Sequence, residues 1–410
     1  MYHRIRTKRR GTGAPVGPVA ALLALSTGLT VAATTILVTP LDYADAASTT
    51  FKVDSPTLGL STLSGTATWS TGSRVVAARP PRPNVFRVSR AGSSRYRAVG
   101  RNVSFRGSLE RVVERAVAEI SASGSAGTVR FTAGDFNLGA GYFGLRDIHN
   151  ITFAGAGMNS TVIRNKSRRA KDTEPFSFYG AFGVTIKNMT INAGGSPRTT
   201  SDAIDFDRGN NSIVENVKVT RSRGHGIMFD GKNFDWESRN NTVRNCVITG
   251  VHLDGIEFLA SSDNTVEGCR IRNVGGHGIE IAKASAVAPG QPNKKSNGNL
   301  VRKNVIDRAG QDGIRIHGGD NNVIRGNTVT NSADAVANHD GIRIASSDGV
   351  SCNRNRVVNN VATDHRPTKT QRYGLNISTP LCHHTVLSSN RLKGNRVARI
   401  HDEGTGTQRR

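Results

Sequence analysis

The sequence is poor in aromatic and sulfur-containing residues. Only 5% of its 410 residues are Phe, Trp or Tyr, and it has four Cys and four Met. A core with so few bulky side chains must be built mainly from Ile, Val, Leu and Ala, which favours stacked strands over a helical bundle. There is no Cys-x-x-Cys spacing, so no zinc site is indicated. The shortage of soft ligands also counts against a protein that loads metal ions.

Acidic residues are also scarce, with 31 Asp and Glu against 55 Lys and Arg, which gives a net charge of +24. The hydrophobic fraction of 36% is too low for a polytopic membrane protein, while the regular placement of 45 Gly excludes a disordered chain. A strongly basic balance favours an acidic partner, which leaves nucleic acid, anionic lipid and a polyanionic glycan.

Residues 1–46 resemble a secretory signal. A basic patch at residues 4–10 is followed by an uncharged run at residues 19–38 and by the small-residue site Ala44-Asp45-Ala46. The uncharged run is long enough to serve instead as a retained membrane anchor. Either alternative predicts a secreted or surface-anchored protein, which makes nucleic acid a poor partner and favours a cell-wall or extracellular polyanion.

The remaining chain divides into four segments that differ in composition and residue pattern. Residues 47–104 are rich in Ser, Thr, Pro and Arg, which predicts a solvated leader. Residues 105–126 predict a capping helix with Ser108 as N-cap and apolar residues at offsets of three and four. From residue 127 to residue 400 the pattern alternates with a period of two, and residues 401–410 are expected to be a tail.

An internal repeat dominates residues 127–400. Its landmarks are Asp202-Ala203-Ile204, His225-Gly226-Ile227, Asp254-Gly255-Ile256, His277-Gly278-Ile279, Asp312-Gly313-Ile314, Asp340-Gly341-Ile342 and Tyr373-Gly374-Leu375. The shortest spacing is 23 residues, and the longer units read as the same coil with inserted loops. Each unit carries short strands, and Asn or Gly, which tolerate left-handed backbone angles, stands at its corners. This pattern predicts a parallel β-helix, whose coils stack about 4.8 Å apart.

These repeats resemble the right-handed parallel β-helix superfamily, which includes pectate lyases, polygalacturonases, alginate-modifying enzymes and phage tailspikes. The resemblance covers residues 105–400 and implies an all-β, single-solenoid fold with a short N-terminal capping helix, but it leaves the activity open. Thr200-Ser201-Asp202 and Gly224-His225-Gly226 are similar to polygalacturonase segments, yet the paired aspartates of that family are missing. The epimerase pattern Tyr-Gly-Phe-Asp-Pro-His is also absent.

The repeat register predicts which side chains point outward from each landmark strand. The polar ones are Asp205, Asp207, Asp230, Glu257, Glu280, Arg315, His317 and Arg343. A second column consists of the residues that precede the landmark Gly or Ala: Asp202, His225, Asp254, His277, Asp312 and Asp340. Asp and His before Gly also cap turns, so a purely structural column is the alternative interpretation.

Two chemistries fit the outward stripe. In a lyase or epimerase acting on uronic acids, Arg315, His317 and Arg343 would bind the substrate together with Glu280, and His225 or His277 would be the base. Asp205 and Glu257 are the candidate catalytic carboxylates, and Asp205, Asp207 and Asp230 are candidate Ca²⁺ ligands. In a glycosidase, Asp207 and Asp230 at about 5 Å would suit retention, whereas Asp205 and Glu257 at about 10 Å would suit inversion.

The four cysteines predict one disulfide more readily than two. Cys352 and Cys382 lie near insertions and are expected to pair, whereas Cys246 and Cys269 stack in the core with parallel side chains that aim poorly at each other. Asn304, Asn327, Asn355 and Asn390 predict a buried ladder of stacked amides.

Three functions remain open. The first is a secreted polysaccharide lyase or related enzyme acting on an anionic glycan, with a glycoside hydrolase as a variant. The second is a non-catalytic, cell-wall-associated glycan-binding protein, and the third is an accessory protein that loads a metal. A monomer is expected, because a β-helix is closed by its own caps.

Overall fold

The computed structural model describes residues 84–139, 141–165, 174–194, 201–231, 237–285, 293–346 and 348–410, together with two N-terminal strands. Those two strands, Ser48–Val53 and Leu63–Thr68, pair antiparallel within a first unit that covers residues 1–78. A second unit covers residues 79–410. The predicted signal lies outside the described residues. Among the helices in the described part of the chain, none has the length and apolar character needed to cross a membrane.

The second unit begins with a cap. The strands Asn84–Arg90, Tyr96–Val99 and Ser104–Gly107 form an antiparallel sheet, and the first of them pairs in parallel with Gly127–Phe131. The helix Leu109–Ala122 follows, and its N-cap Ser108 accepts a hydrogen bond from the Arg111 N–H at 3.4 Å. The prediction of a leader over residues 47–104 is therefore wrong for residues 84–104.

Three parallel faces make up the solenoid. One face, called here the site sheet, has ten strands among the described residues: Phe143–Arg146, Phe176–Tyr179, Ile204–Asp207, Ile227–Asp230, Ile256–Leu259, Ile279–Ala282, Ile314–His317, Ile342–Ala345, Tyr373–Ile377 and Ala398–Asp402. A second ladder runs through Gly127–Phe131, Ile151–Ala154, Thr185–Asn192, Ile213–Thr220, Thr242–Arg244, Thr265–Glu267, Leu300–Arg302, Val323–Arg325, Arg356–Val358, Val386–Ser388 and Gln408–Arg409.

The third ladder joins the second through the two eight-residue strands, which are long enough to span both. It consists otherwise of Gly134–Gly139, Thr161–Asn165, Val247–Thr249, Arg270–Val274, Val305–Ala309, Thr328–Thr330 and Val361–Thr363. Two short pairs stand at corners, Ser238–Arg239 with Ser261–Ser262 and Cys352–Asn353 with Cys382–His383. The predicted all-β parallel solenoid is confirmed. The predicted tail is not a tail, because Ala398–Asp402 and Gln408–Arg409 pair with the preceding coil.

The core is a stack of like residues from successive coils. Phe178, Phe206, Phe229 and Phe258 stack with ring centroids 4.6 to 5.6 Å apart, and Ile replaces Phe in the later coils. Each residue packs on its equivalent one coil away, so the sequence period becomes a column of contacts.

The amide ladder is double. Asn304, Asn327, Asn360 and Asn390 form one column, in which each Oδ1 accepts from the amide of the preceding coil at about 3.0 Å. Asn355 was predicted to belong to this column, but it closes a second one with Asn241, Asn264, Asn299 and Asn322. The two columns lie five residues apart along the chain, and the repeat pattern alone does not separate them.

Candidate functional site

The outward stripe of the site sheet has the predicted register. Asp205, Met228, Glu257, Glu280, Arg315 and Arg343 are successive partners across parallel strands, and Asn376 and His401 continue the row. Two positions later along each strand, a second row contains Asp207, Asp230 and His317. The stripe is therefore acidic in its earlier coils and basic in its later ones.

The second column ties neighbouring coils together. Asp254 accepts the backbone N–H of His277, the Nδ1 of His277 accepts that of Asp312 at 3.1 Å, and Asp312 accepts that of Asp340 at 2.7 Å. These side chains are nearly inaccessible to solvent. Much of the column is thus a turn-capping device, as the structural interpretation predicted.

His225 is a member of the column that also contacts the acidic part of the outward stripe. Its Nδ1 lies 2.9 Å from Asp202 Oδ1 and its Nε2 lies 3.0 Å from Glu257 Oε2, while Asp254 Oδ2 is 3.6 Å away. Burial lowers the pKa of His225, but the Glu257 carboxylate and the hydrogen bond to Asp202 outweigh it and raise the pKa to about 10. The raised pKa favours the imidazolium, which suits a fixed positive charge better than a general base. The role of His225 as a base stays a prediction.

Glu257 is a candidate proton donor. Burial raises its pKa to about 8, with further contributions from the nearby carboxylates of Glu280, Asp254 and Asp202 and an opposing one from His225. Its side chain is 10% exposed and that of His225 is 17% exposed, so both reach the surface at one edge. A carboxylic acid that keeps its proton at pH 7 can donate it to a substrate.

A second group of polar residues lies in the next coils. His277 Nε2 is 3.1 Å from Arg315 Nη1, and Arg315 pairs with Glu280 Oε1 at 3.3 Å. Asp312 lies between His277 and His339, with 3.4 and 3.2 Å to their Nδ1 atoms. Both ring nitrogens of His277 face these partners, so the predicted role of His277 as a catalytic base does not fit its surroundings.

Two further predicted roles gain no support from the geometry. Burial, together with the neighbouring Arg315, lowers the pKa of His317 to about 4, which disfavours the expected positive charge, and its substrate-binding role stays a prediction. Asp205, Asp207 and Asp230 do not converge as one ligand group in the described part of the chain. Asp205 instead groups with Glu174 and Asp202, whose ligand oxygens lie within 4.8 Å of one another. Ca²⁺ dependence stays a prediction.

Arg343 remains the best-placed cation for an anionic substrate. Its Nε donates to Ser378 Oγ at 3.2 Å, and among the described residues it forms no ion pair. Arg315, by contrast, is neutralised by Glu280. The basic end of the stripe therefore presents one uncompensated guanidinium.

Sequence reasoning missed His339 and Arg372. Arg372 holds Asp340 with two hydrogen bonds of 3.0 and 2.8 Å, and His339 contacts Asp312. Each directly precedes a landmark residue, Asp340 or Tyr373. Aligning the position before each landmark would have revealed them.

The cysteines follow the predicted pairing. Cys352 and Cys382 form a disulfide across adjacent coils, with Cα atoms 4.4 Å apart. Cys246 and Cys269 are free and buried at the start of the first amide column, where burial raises the pKa of the Cys246 thiol.

Comparisons with known proteins agree with this architecture. A family profile described as "Right handed beta helix region" matches residues 147–293, and one described as "Periplasmic copper-binding protein (NosD)" matches residues 290–408. No curated protein matches the sequence significantly. The chain is a right-handed parallel β-helix protein, as the resemblance implied.

Solved structures are similar at low identity. An alginate lyase from Paenibacillus sp. str. FPU-7 is 14% identical with a TM-score of 0.51, covering 70% of this chain and 97% of the lyase. The catalytic unit of a GH87 α-1,3-glucanase from Streptomyces thermodiastaticus strain HF3-3 is 16% identical with a TM-score of 0.50, covering 74% of this chain and 65% of the glucanase. Identities this low establish the fold alone.

The described residues do not fit a soft copper site. Residues 290–408 contain no Met, and their two cysteines form the disulfide. Cu(I) prefers thiolate and thioether ligands. His277, Asp312 and His339 form one group whose ligand atoms are close enough to hold a metal ion. The cationic Arg315 contacts His277 in this group, which disfavours a bound cation.

Proposed function

We propose that the protein cleaves an anionic polysaccharide by acid–base catalysis on the site sheet. Glu257 is the general acid, and Asp205, two coils away on the same row, is the base that accepts the proton from the sugar ring or from water. The carrying observation is the buried contact between His225 and Glu257, which holds a carboxylic acid with a raised pKa at the edge of an outward stripe. Both elimination and hydrolysis of a glycosidic bond need an acid that protonates the leaving oxygen.

His225 is assigned a positioning role. Asp202 fixes its Nδ1, so that the Nε2–H points at Glu257 and orients the carboxyl group. A permanent imidazolium also compensates part of the negative charge of Asp202 and Asp254. The His225 ring thereby lets an acidic group persist in a crowded cluster without moving a proton itself.

Substrate charge is assigned to the basic end of the stripe. Arg343 lies three coils beyond Glu257, which corresponds to about 14 Å at the usual coil spacing. A guanidinium binds a planar carboxylate with two hydrogen bonds. Together with the net charge of +24, this arrangement supports a uronic-acid-containing glycan, and the similar alginate lyase is consistent with that class.

Hydrolysis with inversion is the second candidate. Asp205 and Glu257 stand two coils apart on the same row, so their backbones are separated by about 10 Å. That separation is near the range in which one carboxyl group activates water and the other protonates the leaving group. The similar α-1,3-glucanase is consistent with this alternative.

The test is a turnover assay with polygalacturonate, alginate and neutral glucans, with and without Ca²⁺. Unsaturated chain ends detected by ultraviolet absorbance would identify elimination, and new reducing ends without that absorbance would identify hydrolysis. We expect Glu257→Gln to lower kcat by about 10²- to 10⁴-fold, because general acid catalysis contributes that much.

Glu215→Gln is the matched control. Glu215 lies on the second ladder, where it pairs with Arg244, and it is remote from the stripe. Equal losses in both variants, or no turnover of any polymer by the wild-type protein, would contradict the enzymatic function and favour a protein that only binds glycan.

A further inference from the structure

The corner that precedes the site sheet contains a basic cavity of about 320 Å³. It is lined by Gly194, Arg221, Ser222, Arg223, Gly250, Val251 and His252. Three successive coils contribute, and three of the lining side chains are basic. Neither guanidinium forms an ion pair with a carboxylate among the described residues, in contrast to Arg244 and Arg302, which pair with Glu215 and Glu267.

The cavity is fixed to the candidate site by short connections. Ser222 Oγ donates to the carbonyl oxygen of Ser201 at 2.8 Å, and the His252 N–H donates to the carbonyl oxygen of Ser222 at 3.0 Å. Ser201 directly precedes Asp202, the partner of His225. The wall of the cavity and the His225 cluster therefore belong to one hydrogen-bonded set of turns.

Sequence distance limits how far the cavity lies from the proposed acid. Arg223 stands two residues before His225, and His252 stands five residues before Glu257. Five residues span at most about 18 Å even when fully extended. A glycan that places one bond at Glu257 can therefore reach the cavity within a few sugar units.

The charges of the two regions are complementary in sign. The cluster around Glu257 contains Asp202, Asp254 and Glu280, which repel an anionic group, whereas the cavity concentrates two guanidinium groups and an imidazole. Guanidinium groups bind carboxylates and other oxyanions with charge-assisted hydrogen bonds. An anionic substituent on a further sugar unit of the chain is thus favoured at the corner.

We propose that Arg221, Arg223 and His252 form an oxyanion-binding subsite that holds the carboxylate of a uronic acid unit away from the cleaved bond. This proposal rests on the proposed function and deepens it, because the subsite would make the protein specific for an acidic glycan. A sulfate ester presents the same chemistry, so the experiment includes both.

The experiment measures binding by calorimetry to the full chain carrying Glu257→Gln, so turnover does not enter. The probes are polygalacturonate, its carboxyl-reduced neutral form and dextran sulfate. Arg221→Gln and Arg223→Gln are combined in the test variant, and Arg325→Gln on the second ladder is the control. Arg325 is exposed and forms no ion pair with the described acidic residues.

We expect the test variant to bind polygalacturonate at least about tenfold more weakly, because it lacks two guanidinium groups that donate charge-assisted hydrogen bonds, while binding of the neutral form is unaffected. If the test variant loses affinity for dextran sulfate but not for polygalacturonate, the ligand of the subsite is a sulfate ester and not a carboxylate. Equal affinities of wild type, test and control variants for both anionic polymers overturn the subsite.

The two proposals fail separately. Charge-dependent binding through Arg221 and Arg223 without turnover by the wild-type protein would retain the subsite and refute the enzyme. Turnover that depends on Glu257 but not on these two arginines would retain the enzymatic function and refute the subsite.

Discussion

At the scale of single residues, the protonation state of Glu257 sets the pH dependence of the proposed reaction. A general acid must carry its proton, and burial among other carboxylates raises its pKa to about 8. We expect kcat/KM to fall as the pH rises through about 8. A pH profile on the best polymer substrate measures this limb, and a limb near pH 5 would contradict the assignment to Glu257.

Replacing His225 should shift the alkaline limb of this pH profile in a defined direction. The imidazolium lowers the pKa of Glu257, opposing the effect of burial. His225→Gln removes that charge, so we expect the alkaline limb to move to higher pH while kcat falls through lost positioning. The same pH profile reports both effects. Loss of the alkaline limb in His225→Gln would show that His225, not Glu257, is the titrating group.

The sequence was sufficient to place His225 and Glu257 but not to assign their protonation. The repeat spacing fixes which positions face outward, and this located both residues. Their charge states depend on Asp254, which shares the coil of Glu257, and on Asp202 and Glu280 from the two flanking coils. Protonation therefore follows from burial and spatial contacts, which a linear pattern does not contain.

At the scale of structural elements, the amide columns connect coils that differ in length. Asn327 accepts from Asn304 and donates to the Val301 carbonyl oxygen at 2.9 Å and to Asn360 Oδ1 at 3.0 Å. Asn327→Ala leaves several buried polar groups unpaired. We expect it to lower the free energy of unfolding by about 3 kcal/mol, as measured by urea denaturation.

Asn359→Gly is the matched control. Asn359 is exposed and has a φ of 57°, a left-handed angle that glycine adopts without strain. We expect a change below about 0.5–1 kcal/mol. Comparable losses at Asn327 and Asn359 would show that the columns add no more than ordinary turn residues.

Strands that recur in every repeat unit could be predicted from the sequence, whereas strands outside the repeat could not. The 23-residue unit predicts the coils because each buried position repeats in every turn. The cap strands Asn84–Arg90 and Tyr96–Val99 belong to no repeat unit of the described solenoid, and the basic composition around them predicted a solvated leader instead. The register error at Asn355 has the related cause that two columns share one residue type.

At the scale of the whole molecule, the cap sets the boundary of the folded unit. Phe86, Val88, Tyr96 and Ala98 are at most 2% exposed, and they belong to the same core cluster as the helix residue Val112. We expect a chain that starts at Arg79 to retain a cooperative unfolding transition, whereas one that starts at Ser108 should aggregate or melt at least 10 °C lower, a shift of about 3 kcal/mol or more. Circular dichroism melting compares the two chains. Equal Tm values would mean that residues 84–104 do not contribute to the stability of the folded unit, as predicted for a leader.

The His225 cluster also makes the stability of the whole molecule depend on pH. The pKa of His225 rises from 6.5 to about 10 on folding and that of Glu257 from 4.5 to about 8, so the folded protein binds more protons than the unfolded chain across these windows. Stability must then fall as the pH increases, because the unfolded state holds fewer protons there. The contribution of His225 is complete below about pH 6.5 and is lost as the pH passes 10, and that of Glu257 is lost through pH 8. We expect Tm to decline between pH 6.5 and 10, and His225→Gln combined with Glu257→Gln to flatten this decline. A wild-type Tm that rises over that range would mean that His225 is neutral in the folded protein, and it would remove the basis for assigning the proton of the cluster to Glu257.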